Sequence, residues 1–219
     1  MSGGEQELIN FHVELDESYY VVSKDFARIR DKSSLILKAA INNTAKQTMT
    51  LLVDEANKEY QISQPSKIKK TLTLDKATVR NLTATITSRG RVNELYNFMV
   101  KPRTYIRGGG VPGGYGAHTK RGADYKNIFL KQNAGNGDDK YRAFVVKYKS
   151  GHRTIAQRRP DRKMKSDPSK EFLKTLFAPS IPNILGDEQG VYGVVEPRMR
   201  SMLQQNIDTQ VQKFLGGSS

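Results

Sequence analysis

The segment Phe172–Gly186 reads FLKTLFAPSIPNILG, and it restricts the fold more than any other stretch of the chain. Pro179 and Pro182 each lack a backbone N–H and hold φ near −65°, so neither a regular helix nor a central strand can run through both. Leu173, Leu176, Phe177, Ile181, Ile184 and Leu185 are nevertheless too apolar for a solvated loop. The two requirements together predict a rigid, extended crossing segment pressed against an apolar surface. That surface is either the chain's own core or a neighbouring subunit. The block Phe177, Pro179, Ile181, Pro182, Ile184 and Leu185 is therefore a candidate packing or interface element.

Helical periodicity brackets this block. After Ser33 or Ser34 as N-cap, Leu37, Ile41, Ala45, Thr48, Leu52 and Ala56 recur along one stripe, predicting a helix that ends near Tyr60, before Gln64-Pro65. Downstream of the prolines, Val191, Val195, Met199, Leu203, Ile207, Val211 and Leu215 repeat about every fourth residue, a second amphipathic helix. Pro197 is expected to kink it or to mark its true start, and Gly216-Gly217 to end it.

Between the two helices the pattern is mostly extended. Pro65-Ser66 opens a short basic helical turn over Lys67–Lys70, and Thr78–Thr87 is rich in Thr and Val, a predicted strand before Gly90. Val92–Val100 fits helix or strand equally. Ile128–Lys131 is a further strand candidate, and Tyr141–Tyr148 with His152–Gln157 predicts a hairpin turning at Lys149-Ser150-Gly151. A short helix is expected over Pro168–Phe177, capped by Ser166 or Asp167. At the N-terminus Ile9, Phe11, Val13 and Leu15 alternate with polar residues, an edge strand or one added to a neighbour's sheet, and Tyr19–Arg30 suggests a helix. The fold class expected is α+β. The two long helices pack on an antiparallel sheet in one domain over residues 33–215, with an N-terminal extension at 1–32 and a flexible tail at 216–219.

Charge is strongly localised. Residues 101–174 carry 19 Lys+Arg against 6 Asp+Glu, whereas residues 1–100 carry 14 against 12 and residues 175–219 carry 3 against 4. Two clusters stand out. One flanks the glycine-rich stretch Gly108–Gly116 within a loop at 101–126 and comprises Arg103, Arg107, Lys120 and Arg121; the other is Arg158, Arg159, Arg162, Lys163 and Lys165. Such a surface can be solvated, can meet an acidic protein, or can follow the phosphate backbone of DNA without base readout. The glycine stretch lacks the Gly-Lys-Ser/Thr and strand–helix context of a nucleotide-binding loop. A flexible arm is the better reading.

Other chemistries find little to stand on. The chain has no cysteine, so disulfides, thiolate metal sites and cysteine nucleophiles are excluded. His12, His118 and His152 are far apart and read as surface or hairpin residues. Asp138-Asp139 sits in Gly-Asn-Gly-Asp-Asp, a turn sequence, and a metal-dependent nuclease would need further carboxylates converging on it. No catalytic constellation, metal site or cofactor is expected. An apolar share of 37% with ten Tyr and eight Phe fits a folded chain, and no apolar run approaches the ~20 residues of a membrane span. A soluble protein made in the cytoplasm is expected.

The proline block and the helix after it resemble the prophage minor tail protein Z family of bacteriophage tail completion proteins. There a short aliphatic run leads into Gly-Pro-Ser, an aliphatic residue, a second Pro or polar residue, and a C-terminal helix. Here Ala178-Pro179-Ser180-Ile181-Pro182 occupies that place, with Ala178 where the family has Gly. Upstream, LILKAAINNTAKQTMTLLVDEANKEYQIS followed by KIKKTLTLDKATVRNLTATITSRG is similar to the family's order of long helix, short basic helix and strand. The resemblance spans roughly Ser33 to Leu215. It implies a structural virion protein, not an enzyme: a tail completion subunit at the head-proximal end of the tail. It further implies a homo-oligomeric, hexameric ring around the DNA channel, with tail-tube, terminator and neck proteins as partners. Another neck protein, such as a tail terminator or head-tail adaptor, is an alternative. A free, nonspecific basic nucleic-acid-binding protein is an alternative of a different class.

Overall fold

The computed structural model describes residues 7–14, 32–106, 115–124, 126–127 and 143–216. The candidate helix at Tyr19–Arg30, the candidate strand at Ile128–Lys131, Arg107 and Asp138-Asp139 lie outside these residues. The fold is α+β, with long N- and C-terminal helices packed on antiparallel sheets. Two compact units form: residues 1–56, 65–91 and 180–219 make the first, and residues 57–64 with 92–179 the second. The sequence pattern suggests one domain at 33–215 with 1–32 as an extension; the contacts instead group β1 (Glu7–Val13) with the first unit.

In the first unit α1 spans Ser33–Glu59, α2 Ser66–Thr71, β2 Leu72–Asp75 and β3 Ala84–Gly90. After the second unit the chain returns as α3 (Ile181–Leu185) and α4 (Val191–Gly216). The stripe expected on α1 is buried throughout, Leu37, Ile41, Ala45, Thr48, Leu52 and Ala56 included. On α4, Val191, Val195, Met199, Leu203, Ile207 and Val211 are buried, while Leu215 is exposed beyond the packed turns. The helix begins six residues before Pro197, so that proline lies inside it and does not mark its start. Polar side chains fix the pairing of the two helices. Asn206 Nδ2 donates to Thr44 Oγ1 at 2.9 Å and to Gln47 Oε1 at 2.8 Å, and Arg198 Nη1 donates to Glu55 Oε1 at 2.8 Å. Residue numbers fall along α4 as they rise along α1, so the helices run antiparallel.

The sheet of this unit has the order β1-β3-β2, all antiparallel. Strand period two divides its residues cleanly. Phe11 opposes Ile86, which opposes Leu74, and Val13 opposes Ala84; these residues form the apolar face. The other face carries a polar ladder in which Thr87 Oγ1 donates to Asn10 Oδ1 at 2.8 Å and Thr85 meets His12 at 3.3 Å. The alternation expected for Ile9–Val13 is therefore an edge strand of the chain's own sheet.

Thr78–Thr83 is not strand. Asn81 N bonds Thr78 Oγ1 at 3.0 Å, Thr83 N bonds Asn81 Oδ1 at 3.2 Å, and Thr78 N bonds Asn81 O at 2.7 Å, a turn closed by side chains competing for backbone donors. The strand starts only at Ala84, and β2 is a partner that periodicity did not reveal.

The proline block resolves into two pieces instead of one extended crossing. Phe177–Ala178 forms a short strand, and Ser180 then caps α3: its Oγ accepts from Asn183 N at 3.3 Å. Pro182 falls in the first turn, where a missing N–H leaves nothing unsatisfied. Ile181, Pro182, Ile184 and Leu185 are buried in the first unit, with Pro182 against Gly90 and Gly186 against Ile9. Ser180 Oγ also donates to Glu7 Oε2 on β1. The surface covered by α3 is the chain's own core. Phe177 departs from the expectation, being 57% exposed, and Pro179 is exposed as well.

In the second unit β4 (Asn93–Glu94) leads through a 3-10 turn, Leu95–Asn97, into β5 (Met99–Lys101), so Val92–Val100 is both helix and strand in miniature. Then follow β6 (Gly116–His118), β7 (Lys126–Asn127), β8 (Ala143–Lys147), β9 (Arg153–Met164), β10 (Asp167–Thr175) and β11 (Phe177–Ala178). They pair as β5-β6-β7, β10-β9-β8 and the ribbon β11-β4, all antiparallel. Val100, Tyr115, Ala117, Ala143, Val145 and Ile155 make the core of this unit. The expected hairpin is present, with Gly151 at φ 84° in its turn, a conformation L side chains resist.

Beyond it the strand expected over His152–Gln157 runs on, and the helix expected over Pro168–Phe177 does not form. Strand β9 continues through Pro160, and Pro168–Phe177 is strand, not helix. Both prolines sit where the ladder is broken. Asp167 opposes Met164, Glu171 opposes Lys163 and Phe172 opposes Arg159, so 168–170 on one strand and 160–162 on the other have no opposite residue. An absent N–H costs little at such bulges.

Two substitutions test this packing. Ile184→Asp places a carboxylate at a site 1% exposed, and the first unit is expected to unfold, read as loss of the cooperative thermal transition. Gly193→Ala on α4 tests a close approach: a Cβ there would run into the backbone oxygen of Glu188. In place of the usual stabilisation by about 1 kcal/mol for removing a helical glycine, the variant is expected to lose at least that much. Calorimetry would show a transition lowered by roughly 2–4 °C per kcal/mol.

Candidate polyanion surface in the second unit

The second unit holds 20 Lys+Arg against 8 Asp+Glu, a net charge of +12, while the first holds 16 against 14, a net of +2. Nearly all the excess positive charge therefore belongs to one unit. Its cations differ sharply in what they are already bonded to.

Arg103, Lys120 and Arg121, expected on an arm beside the glycine stretch, are engaged within the unit. The Arg103 guanidinium donates to Phe98 O at 3.1 Å and Tyr96 O at 3.2 Å and lies 4.7 Å from the Tyr96 ring centre. The Tyr96 hydroxyl returns a bond to Arg103 O at 3.1 Å. Tyr115, 2% exposed, donates its hydroxyl to Thr104 O at 3.3 Å, and burial pushes its phenol above the usual range.

Lys120 and Arg121 close the C-terminal end of α1. Arg121 Nε donates to Asn57 O at 2.6 Å, its backbone N to Glu59 O at 2.7 Å, and its Nη1 to Gln61 Oε1 at 2.9 Å. Lys120 Nζ donates to Glu59 Oε1 and stands 5.3 Å from the Tyr60 ring. Carbonyls at a helix C-terminus lack intrahelical donors and concentrate partial negative charge, so two cations here satisfy both needs. Their partners lie about sixty residues upstream, |i−j| being 64 for Arg121 with Asn57, which no local motif could have disclosed.

The second cluster is arranged differently. Among the described residues β8 opposes β9 from Arg153 to Gln157, and from Arg158 onward β9 pairs with β10 alone, as a ribbon. No described side chain of this ribbon from Arg158 to Leu173 is fully buried. Two of its three acids are held by cations. Arg159 grips Asp161 in a bidentate pair, both distances 2.9 Å, which lowers the carboxyl's pKa. Asp167 pairs with Lys170 at 2.6 Å and accepts from Ser169 N at 3.1 Å and Ser169 Oγ, bringing its carboxyl to about 2. Glu171 stands opposite Lys163 in the register.

Arg158 and Arg162 rest on aromatic rings, 5.3 Å from Phe144 and 5.1 Å from Phe172. Neither guanidinium has a hydrogen-bond acceptor among the described residues. Lys163 and Lys165 are exposed at the tip. At the far turn, His152 Nε2 lies 3.1 Å from Glu94 Oε1 and its ring stacks on Tyr148. Among the described residues no group of three or more metal-ligating side chains occurs, and no helix is long and apolar enough to cross a membrane.

Two outcomes check these contacts. Arg121→Ala strips donors from the end of α1 and is expected to lower stability by about 1 kcal/mol, seen as a small fall in the thermal midpoint. The Asp167 carboxyl is depressed in the folded chain, so its contribution to the hairpin tip is complete above the ordinary carboxylate range. That contribution fades as pH falls through about 2. Carboxyl-detected NMR titration is expected to find half-protonation near that value, and in Lys170→Ala at a higher pH. A search of protein-family models, of curated proteins and of solved structures found no match to this chain.

Proposed function

We propose that this chain is a structural subunit of a tailed-phage or phage-like particle, a tail completion or neck protein that assembles into a ring where tail meets head. One observation supports the reading above the others. The stretches that resemble the prophage minor tail protein Z family are separated in sequence, yet most of them fold together. Helices α1 and α2, strand β3 and helices α3 and α4 all belong, apart from the last turn of α1, to the nearly neutral first unit. The strongly basic second unit is threaded between them.

In this reading the first unit is the scaffold shared with such proteins, and the second is the part turned toward DNA or an acidic neighbour. Ring closure uses a heterologous contact, one patch meeting a different patch on the next copy until the rotation closes. Ile181, Pro182, Ile184 and Leu185 of the proline block, buried in the first unit, support the scaffold from within. Interface residues are then to be sought among exposed apolar side chains such as Phe177, Val92 and Leu8.

The +12 charge of the second unit also favours a second reading, a free nonspecific nucleic-acid-binding protein. Light scattering on the purified chain, alone and with tail components, separates the two, together with electron microscopy of particles. The neck reading expects a ring of fixed copy number and density at the head-proximal tail end. A chain that stays monomeric with every tail component, and particles without such density, would overturn it.

A further inference from the structure

We infer that the β9–β10 ribbon is a nucleic-acid contact, gripping the phosphate backbone of duplex DNA through Arg158, Arg162, Lys163 and Lys165. The neck reading above enters only in the choice of DNA as the polyanion; the ribbon's own features supply the rest.

Selection among the cations comes first. Arg103, Lys120 and Arg121 hold backbone carbonyls or acidic and amide side chains of their own unit, and Arg159 and Lys170 hold Asp161 and Asp167. Releasing them to bind a phosphate would break existing bonds. Arg158 and Arg162 have no such competing acceptor among the described residues. The rings of Phe144 and Phe172 restrict their orientation while leaving the N–H edges open. Little side-chain freedom remains to be lost when a phosphate arrives, and a planar guanidinium can offer it two parallel N–H donors.

Shape is the second consideration. Beyond Gln157 only two strands, β9 and β10, pair among the described residues, and none of their described side chains up to Leu173 is fully buried, so this ribbon has no core of its own to complete. A two-stranded ribbon of this kind fits the major groove of B-form DNA, where its edges run beside both phosphate chains. Arg158 and Arg162 are four residues apart, at most about 13 Å along a strand, a span within one helical turn of duplex. The bulges at 160–162 and 168–170 add local twist to the ribbon. Contacts to phosphate oxygens carry no sequence information directly, so binding through these four cations is expected to be indifferent to sequence.

Fluorescence anisotropy of the full chain with short DNA duplexes of two unrelated sequences, over a series of salt concentrations, tests this. Arg158→Ser, Arg162→Ser, Lys163→Ser and Lys165→Ser in one variant are expected to weaken binding at least about tenfold. The salt slope should fall by up to about 3.6, four contacts at roughly 0.9 each. A control with the same change in net charge, Lys69→Ser, Lys70→Ser, Lys76→Ser and Arg80→Ser, removes exposed cations of the first unit and should change affinity less than about threefold. Circular dichroism and the thermal midpoint should match wild type in both. Arg158→Lys with Arg162→Lys keeps the charge and loses the planar stack, and should weaken binding about threefold with the slope preserved.

Equal weakening by the two quadruple variants would mean bulk charge alone attracts DNA and would overturn the assignment. So would wild-type DNA binding by the ribbon variant. Loss of binding to poly-glutamate with DNA binding intact would instead make the ribbon a protein-docking surface and reject the phosphate assignment. Monomeric behaviour in the scattering experiment would sink the neck reading alone and leave the ribbon result standing.

Discussion

The first unit depends on one long-range closure, the seating of α3 against β1 and β3. Its ends are far apart in the chain: Ser180 and Glu7, which share a hydrogen bond, are 173 positions apart. The apolar side chains of a five-residue helix could not hold that closure if its own polar groups went unsatisfied. Ser180 meets the problem by capping the first turn while bonding to the strand it docks on. Pro182, which would disrupt a longer helix, is harmless in that turn and lies against Gly90 of β3. Because loop-closure entropy grows only logarithmically with length, the second unit can be threaded through this closure at small extra cost.

How much of the fold was legible in the sequence depends on how local each determinant is. The stripe on α1 and the repeat on α4 are set by residues within a few positions of one another, and both helices are found where periodicity placed them. The alternation of Ile9–Val13 survived for the same reason. Pro168–Phe177 misled because Asp167-Pro168 is a good helix start and Lys170, Glu171 and Lys174 are helix formers. Pairing with β9 overrides that preference, as tertiary context does for intrinsic propensity generally. Thr78–Thr83 misled in the other direction, since Thr and Val favour strands, but Thr78 and Asn81 use their side chains to close a turn. The first error came from a partner strand elsewhere in the chain, the second from side chains bonding to their own backbone.

The basic surface divides along the same line. The excess of positive charge in the middle of the chain was plain from composition, and it belongs to one compact unit. Which cations are engaged was not legible. Arg121 and Arg158 look alike in sequence, yet one holds the end of a helix sixty-odd residues away and the other lies on a ring across its own hairpin. Asp161 and Asp167 could have been read as neutralising the run at Arg158–Lys165. In the structure they bind Arg159 and Lys170, which leaves the two ring-backed arginines with no acid hydrogen-bonded to them among the described residues.

The ribbon β11-β4 carries a consequence for how such a chain could have arisen. Ala178 opposes Asn93, so the points at which the long middle segment departs and returns are neighbouring strands, about 5 Å apart. A segment whose two ends meet can be grafted into a host, or traded for another, with little disturbance to the host's path. Lineages that keep the host while exchanging the guest would diverge faster between residues 92 and 179 than on either side.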